Sequence, residues 1–152
     1  MSSRYTTDGG IEGVCTYCGQ IADSVDHVVP KHLLERAGEL ELDLSKIMRM
    51  RSWQVPACRE CNSMLGGKLF ATLRERRESA HKSIRRKYAS YLRVPSWSEE
   101  ELSEMGPRAS DEIRAALVVR DWIRGRLAWN GATVVDIGAV YGLAQAMIRR
   151  AK

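Results

Sequence analysis

Apolar residues change their spacing near Cys61. Before it they form short β-favouring pieces at 11–14 and 25–29, and a short apolar run at 53–57. After it they recur at helical spacing as far as Pro95, at Leu65, Leu69, Leu73, Ala80, Ile84, Tyr88 and Leu92. The pattern predicts an α+β chain that is mostly α, with its strands near the start.

Turn and capping residues divide the helical part of the chain. A glycine pair at 66–67 weakens the start of the first long helix, and Pro95 ends it. Ser98 followed by Glu101 is a capping-box signature for a short helix. A longer helix is then predicted over about 110–129.

These boundaries predict four regions. Residues 1–10 are a flexible tail, and 11–94 form one domain that includes a basic helix. The stretch 95–109, bounded by two prolines, is the best candidate for a linker. Residues 110–152 form a helical region.

Charge is concentrated on the predicted basic helix. The chain has a formal net charge of +5, but residues 68–93 alone hold nine Lys/Arg against two Glu. Such a stretch favours the DNA backbone as a partner, while the alternative is a solvated helix face. The candidate contacts are Lys68, Arg74, Arg77, Arg85 and Arg86. His81 lies in the same stretch and is expected to be solvated.

The sequence gives no sign of a membrane or secretory segment. It has no apolar run long enough to span a bilayer, and residues 1–10 lack the apolar stretch of a signal peptide. We therefore expect a cytoplasmic protein with no membrane partner. In a reducing compartment its four cysteines favour metal over disulfides.

The cysteines form two Cys-x-x-Cys knuckles, and none is left over. The first knuckle is Cys15 and Cys18, and the second is Cys58 and Cys61. Together they offer four thiolates, which is the ligand set of a closed structural Zn²⁺ site. A redox or catalytic zinc is the alternative, but an all-thiolate site has no open position for water. The spacing therefore predicts a structural zinc that brings residue 61 next to residue 18.

The zinc also brings together residues that suit hydrolysis. Asp26-His27 follows the first knuckle, and Asn62 directly follows Cys61. Carboxylate and amide oxygens are hard ligands for Mg²⁺ or Mn²⁺. A neutral imidazole can act as general base on a water. The predicted catalytic residues are His27, Asp26 and Asn62, with Asp26 and Asn62 holding the catalytic ion.

The motif order resembles the HNH (ββα-metal) endonucleases, in a zinc-stapled, Asn-terminated form that is often phage-encoded. The resemblance covers about residues 13–70 and rests on the four cysteines, Asp26, His27, Pro30, Asn62 and Lys68. It implies a small treble-clef-like zinc core, with His27 as general base and Asp26 and Asn62 as ion ligands. It departs from the family at Trp53, where a supporting Asn is usual, which puts the orientation of His27 in question. A core histidine beside the knuckle is the alternative for His27, and a surface lysine is the alternative for Lys68.

The end of the chain has a helix-turn-helix pattern over 137–150, with Gly142 at the turn. Its second helix would present Gln145 and Arg149 to DNA. An ordinary helical hairpin that packs on the first domain or on a partner is the alternative.

Three functional hypotheses follow. The first is a metal-dependent DNA endonuclease, which needs a homodimer or two successive nicks to cut both strands because the chain has one active centre. The second is a non-catalytic zinc and helix-turn-helix adaptor or regulator that binds DNA. The third is a nuclease that works only within a larger phage DNA-processing assembly, in the host cytoplasm.

Overall fold

The computed structural model describes residues 13–28, 54–68, 70 and 73–130. Within these ranges the chain is mostly helical, with one small sheet, as the hydrophobic pattern predicted. The strands are β1 (Ser24–His27) and β2 (Gln54–Ala57). The helices are α1 (Arg59–Leu65), α2 (Leu73–Lys87), α3 (Ala89–Leu92), α4 (Glu99–Ser103) and α5 (Pro107–Ala128).

The two strands pair antiparallel and lead directly into α1. Asp26 lies opposite Val55, and His27 lies opposite Gln54. One residue after β2, Cys58 is the N-cap of α1. The backbone N–H of Arg59, in the first turn, donates to a carboxylate oxygen of Asp23 at 2.8 Å. A side chain just before β1 therefore helps to start the helix that follows β2, since the first N–H groups of a helix lack internal partners.

The long basic helix predicted after Cys61 is divided in two. The first piece, α1, ends at Leu65, and α2 begins at Leu73. Gly66 caps α1 with φ +50, a conformation that glycine adopts readily, and its N–H donates to the Asn62 carbonyl at 3.0 Å. The glycine pair therefore ends the helix instead of only weakening it.

The capping pair after Pro95 begins a helix as predicted. The N–H of Glu101 donates to Ser98 Oγ at 3.1 Å, and the Ser98 N–H donates to the Glu101 carboxylate at 2.7 Å. These bonds form the capping box of α4. The long helix α5 starts earlier than predicted, at Pro107, because proline suits the first turn, where no N–H partner is lost.

The core is built around the cysteines and extends to α5. Residues from both knuckles, β2, α1 and α2 form one buried cluster, and Ile123 of α5 belongs to it with no exposed surface. Ile123, which follows the predicted linker 95–109, thus packs into the core around the four cysteines. The predicted tail and the helix-turn-helix pattern lie outside the described residues. Among the described helices, none is long and apolar enough to cross a membrane.

Candidate functional site

The four cysteines come together as the knuckle spacing predicted. Their Sγ atoms all lie within 4.8 Å of one another, and all four residues are buried. The Cys18 and Cys58 sulfurs are 3.7 Å apart. Tetrahedral Zn²⁺ with Zn–S bonds of ~2.3 Å separates its sulfurs by roughly 3.8 Å, so this cluster can hold a metal ion such as zinc.

Local backbone structure shapes each knuckle. In the first, the Cys15 N–H donates to Gln20 O at 2.7 Å, and the Gly19 N–H donates to Cys15 O at 2.9 Å. Gly19 has φ +73, and a Cβ there would lie 2.7 Å from the Trp129 ring, so only glycine fits. In the second knuckle, Cys58 Sγ accepts the N–H of Cys61 at 3.4 Å.

Charge on the thiols requires cations nearby. Hydrogen bonds among the four sulfurs lower the pKa of Cys18 and Cys58 and raise the pKa of Cys15 and Cys61. Four thiolates this close repel one another unless a metal neutralises them. The structure also brings a guanidinium to the cluster, because Arg126 Nη2 lies 3.8 Å from Cys61 Sγ. This contact places a positive charge of the protein beside the sulfur cluster.

Asp26 lies in a buried cluster that the sequence did not predict. Arg76 Nε and Nη2 donate to the two Asp26 oxygens at 2.7 and 2.8 Å, and the Tyr17 hydroxyl donates to the same carboxylate. Exposed fractions are 0% for the Arg76 side chain and 2% for that of Asp26. Burial first, and then the nearby Asp26 charge, raise the pKa of Tyr17 well above its ordinary value of 10.0. Tyr17 therefore keeps its proton and acts as a donor.

His27 and Asp26 lie on opposite faces of β1, because successive strand residues alternate. Asp26 faces inward, while His27 is half-buried on the face of Val25, which is 49% exposed. Asn62 reaches the same strand from α1. Its Nδ2 donates to Val25 O at 3.1 Å and to Ser24 Oγ at 3.2 Å.

The predicted DNA contacts differ in how their charges are used. Lys68, Arg85 and Arg86 are exposed. Arg74 is also exposed but forms an ion pair with Glu78 at 3.1 Å. Arg77 is half-buried. Gln145 and Arg149 lie outside the described residues, as do Trp53 and Pro30, so their predicted places remain predictions.

His81 is not solvated as expected but is 8% exposed, with Nε2 2.6 Å from the Tyr17 carbonyl oxygen. A carbonyl only accepts, so Nε2 carries the proton. Burial is the largest cause that lowers the pKa of His81 below its ordinary value of 6.5, and nearby arginines add to it. The neutral ring therefore fixes α2 to the first knuckle.

Sequence reasoning missed Arg76 and Tyr17, although one signal was present. Arg76 follows Leu73 by three positions and precedes Ala80 by four, so it falls on the apolar side of α2. A charged residue on that side needs a buried partner, because burying an unpaired charge is costly. No comparable periodic signal marks Tyr17, which lies inside a knuckle.

Comparison with known proteins found no match. No family model, curated protein or solved structure matches this chain.

Proposed function

We propose that the chain is a metal-dependent DNA endonuclease with His27 as the general base. The observation that carries the proposal is the anchoring of Asn62 to β1. Its Nδ2 binds Val25 O and Ser24 Oγ, immediately before Asp26-His27. The order β1, β2, α1 thus brings an amide, an imidazole and a carboxylate to one short strand beside the zinc cluster.

The amide of Asn62 is oriented in a way that suits an ion ligand. Since Nδ2 makes both hydrogen bonds to β1, Oδ1 is left to accept, and no hydrogen bond to it occurs among the described residues. A bound Mg²⁺ or Mn²⁺ would neutralise the scissile phosphate and the leaving oxygen. The imidazole of His27 would take the proton of the attacking water.

Asp26 fits the ion less simply than Asn62 does. Both of its oxygens already accept from Arg76. An ion at Asp26 must therefore compete with a bidentate guanidinium, which is among the stronger carboxylate partners. We expect weak ion binding at this carboxylate unless Arg76 shifts.

Plasmid nicking with and without Mg²⁺ or Mn²⁺ tests the proposal. The wild-type protein should nick DNA only with the ion, and His27→Ala should abolish nicking while zinc content and DNA affinity stay unchanged. Gln54→Ala is a matched control, because Gln54 is the exposed register partner of His27. Asn62→Ala should raise the ion concentration needed for half-maximal rate. Wild-type nicking by His27→Ala would overturn the assignment of the base.

A second function is favoured by the closed Asp26–Arg76 pair. If that carboxylate serves only to hold α2 in place, the chain is a zinc-stapled DNA-binding adaptor or regulator without catalysis. The same assay separates the two functions: the adaptor binds DNA and never nicks it, with either ion.

A further inference from the structure

One side of α2 lies against the first knuckle and carries three basic residues at four-residue spacing. Arg77, His81 and Arg85 recur every four positions and so fall on the same side of the helix. His81 fixes this side to the knuckle through its bond to the Tyr17 carbonyl. We call the pair Arg77 and Arg85 the knuckle-side arginines.

Arg77 has polar atoms that its surroundings do not satisfy. Its Nε and Nη2 are shielded from solvent and have no hydrogen-bond partner in the described part of the chain. This burial lowers the pKa of Arg77 below its ordinary value. A shielded guanidinium without partners is unfavourable, so a rearrangement that gives it an anion lowers the free energy.

Other basic residues of α2 already have carboxylate partners. Arg74 pairs with Glu78 at 3.1 Å, and Arg76 pairs with Asp26. Lys87 pairs with Glu60 at 2.5 Å. For Arg77 and Arg85, no described carboxylate lies within the 4.0 Å of an ion pair. The knuckle-side arginines are therefore positive charges that the described chain does not neutralise.

Lys82 offers an internal comparison, because it is exposed and forms no ion pair with a described carboxylate. It lies about 100° around α2 from His81, whereas Arg77 and Arg85 each lie within about 40° of it. If DNA binding depended only on overall positive charge, loss of Lys82 and loss of a knuckle-side arginine would weaken it equally. If it depended on a defined phosphate site, only loss of a knuckle-side arginine would weaken it strongly.

We propose that Arg77 and Arg85 each bind a backbone phosphate of one nucleic-acid strand, which runs along α2 beside the first knuckle. At 1.5 Å per residue the two positions are ~12 Å apart along the helix. That length corresponds to about three to four steps of a duplex whose axis runs along α2, at a rise of ~3.4 Å per step. The planar guanidinium fork suits phosphate oxygens.

The position links this binding to the proposed active site. Tyr17, whose carbonyl binds His81, also donates through its hydroxyl to Asp26, the neighbour of His27. Tyr17 thus connects the side of α2 that carries the knuckle-side arginines with the residue next to the proposed general base. This inference rests on the proposed nuclease function, which supplies DNA as the ligand, but its test measures binding and needs no cleavage.

The test measures the affinity for a 20-base-pair duplex by fluorescence anisotropy over a KCl series, without added Mg²⁺ or Mn²⁺. Arg77→Gln and Arg85→Gln should each weaken binding about 10–100-fold, the equivalent of one charged hydrogen-bond contact. Each should also reduce the slope of log K against log salt by about 0.9. Lys82→Gln is the matched control and should leave the slope unchanged.

Equal losses in Arg77→Gln, Arg85→Gln and Lys82→Gln would overturn the site, because they would show a uniform electrostatic attraction instead. An unchanged slope in Arg77→Gln and Arg85→Gln would also overturn it. Arg77→Lys retains the charge without the fork, so it should recover the slope but only part of the affinity. Circular dichroism and zinc content check folding, and the exposed Arg85 carries the test if Arg77→Gln does not fold.

The result is separable from the nuclease proposal. If the wild-type protein binds DNA through the knuckle-side arginines but never nicks plasmid, the phosphate-binding inference stands and the nuclease proposal fails. If the wild-type protein nicks plasmid while Arg77→Gln, Arg85→Gln and Lys82→Gln bind DNA alike, the nuclease proposal stands and the phosphate-binding inference fails.

Discussion

Two buried arginines connect the helices to the part of the chain around the four cysteines, and they do so differently. In the Asp26 cluster, Arg76 of α2 pairs with Asp26, and both side chains are almost fully buried, at 0% and 2% exposed. In the Glu60 cluster, Arg126 of α5 pairs with Glu60 at 2.6 Å, where the arginine is 1% exposed but the carboxylate is 22% exposed.

The partners around the two carboxylates also differ. Asp26 depends on Arg76 and on the buried hydroxyl of Tyr17. Glu60 has three partners, since Lys87 and Tyr88 also donate to it, at 2.5 and 2.6 Å. Burial alone would raise the pKa of Glu60, but these hydrogen bonds outweigh it and hold the pKa below its ordinary value of 4.5.

The difference teaches which cluster can adapt. A dry pair with few partners leaves a buried charge when one member is lost. A carboxylate with partial solvent access and several donors redistributes its bonds. We therefore expect the Asp26 cluster to be brittle and the Glu60 cluster to be tolerant, with both depending on the metal.

Removal of the metal should have the largest effect, because both clusters are built on the knuckles. Structural zinc contributes about 10–16 kcal/mol in small zinc domains, as much as or more than the ~5–15 kcal/mol of a typical domain's net stability. Chelation or Cys58→Ser should therefore abolish cooperative thermal unfolding. Near-UV circular dichroism is the readout, and Zn²⁺ added back to the chelated wild-type protein should restore its signal. A metal-free protein with a native spectrum would contradict this dependence.

Loss of Arg76 should be the most destabilising change among the two pairs. Arg76→Met leaves the buried Asp26 with Tyr17 alone and should cost about 3–5 kcal/mol in urea unfolding. The double variant with Asp26→Asn should recover part of this loss, since no buried charge then remains. Arg74→Ala is the exposed control and should cost less than about 0.5 kcal/mol. Equal losses for Arg76→Met and Arg74→Ala would show that the buried pair is not formed in solution.

Loss of Arg126 should cost less than loss of Arg76. Glu60 retains Lys87, Tyr88 and water, so Arg126→Met should cost about 1–3 kcal/mol. The guanidinium also lies over the Trp122 ring, 4.9 Å from its centroid, and touches Cys61. We therefore expect a change in the wavelength of maximum tryptophan emission and faster zinc release to a chelator. A loss equal to that of Arg76→Met would remove the contrast between the clusters.

His81 should give the smallest effect, and that effect depends on pH. The ring forms a hydrogen bond with the Tyr17 carbonyl, and the charge of Arg126 helps to lower its pKa. It therefore interacts with one residue from each of the two clusters. Its pKa in the folded protein is below 6.5, so the unfolded chain binds the proton more readily. Stability should be at its full value above pH 6.5 and fall as the pH drops from there towards the lowered pKa. His81→Gln should flatten this part of the curve of unfolding free energy against pH, and an unchanged curve would contradict the assignment.

The sequence determined the parts of the site that depend on local spacing. Two Cys-x-x-Cys knuckles gave the buried cysteine cluster, and the capping residues Ser98 and Glu101 gave the start of α4. The glycine pair at 66–67 predicts only a weakened helix start, whereas in the structure it ends α1. The hydrogen bond from Gly66 to the Asn62 carbonyl, which caps the helix, could not be predicted from the residue types alone. These features are local, so a pattern along the chain describes them.

Only the tertiary structure decided how the charges are paired. Arg76 and Asp26 are 50 positions apart, and Arg126 and Cys61 are 65 apart. The sequence marked Asp26, His27 and Asn62 as one group, and the fold brings Asn62 to the strand while it directs Asp26 inward. It also pairs Arg74 and Arg76 of α2 with carboxylates, and gives Arg77 and Arg85 no carboxylate partner among the described residues. Such choices depend on which distant side chain fills each buried space, and periodicity carries no information about that.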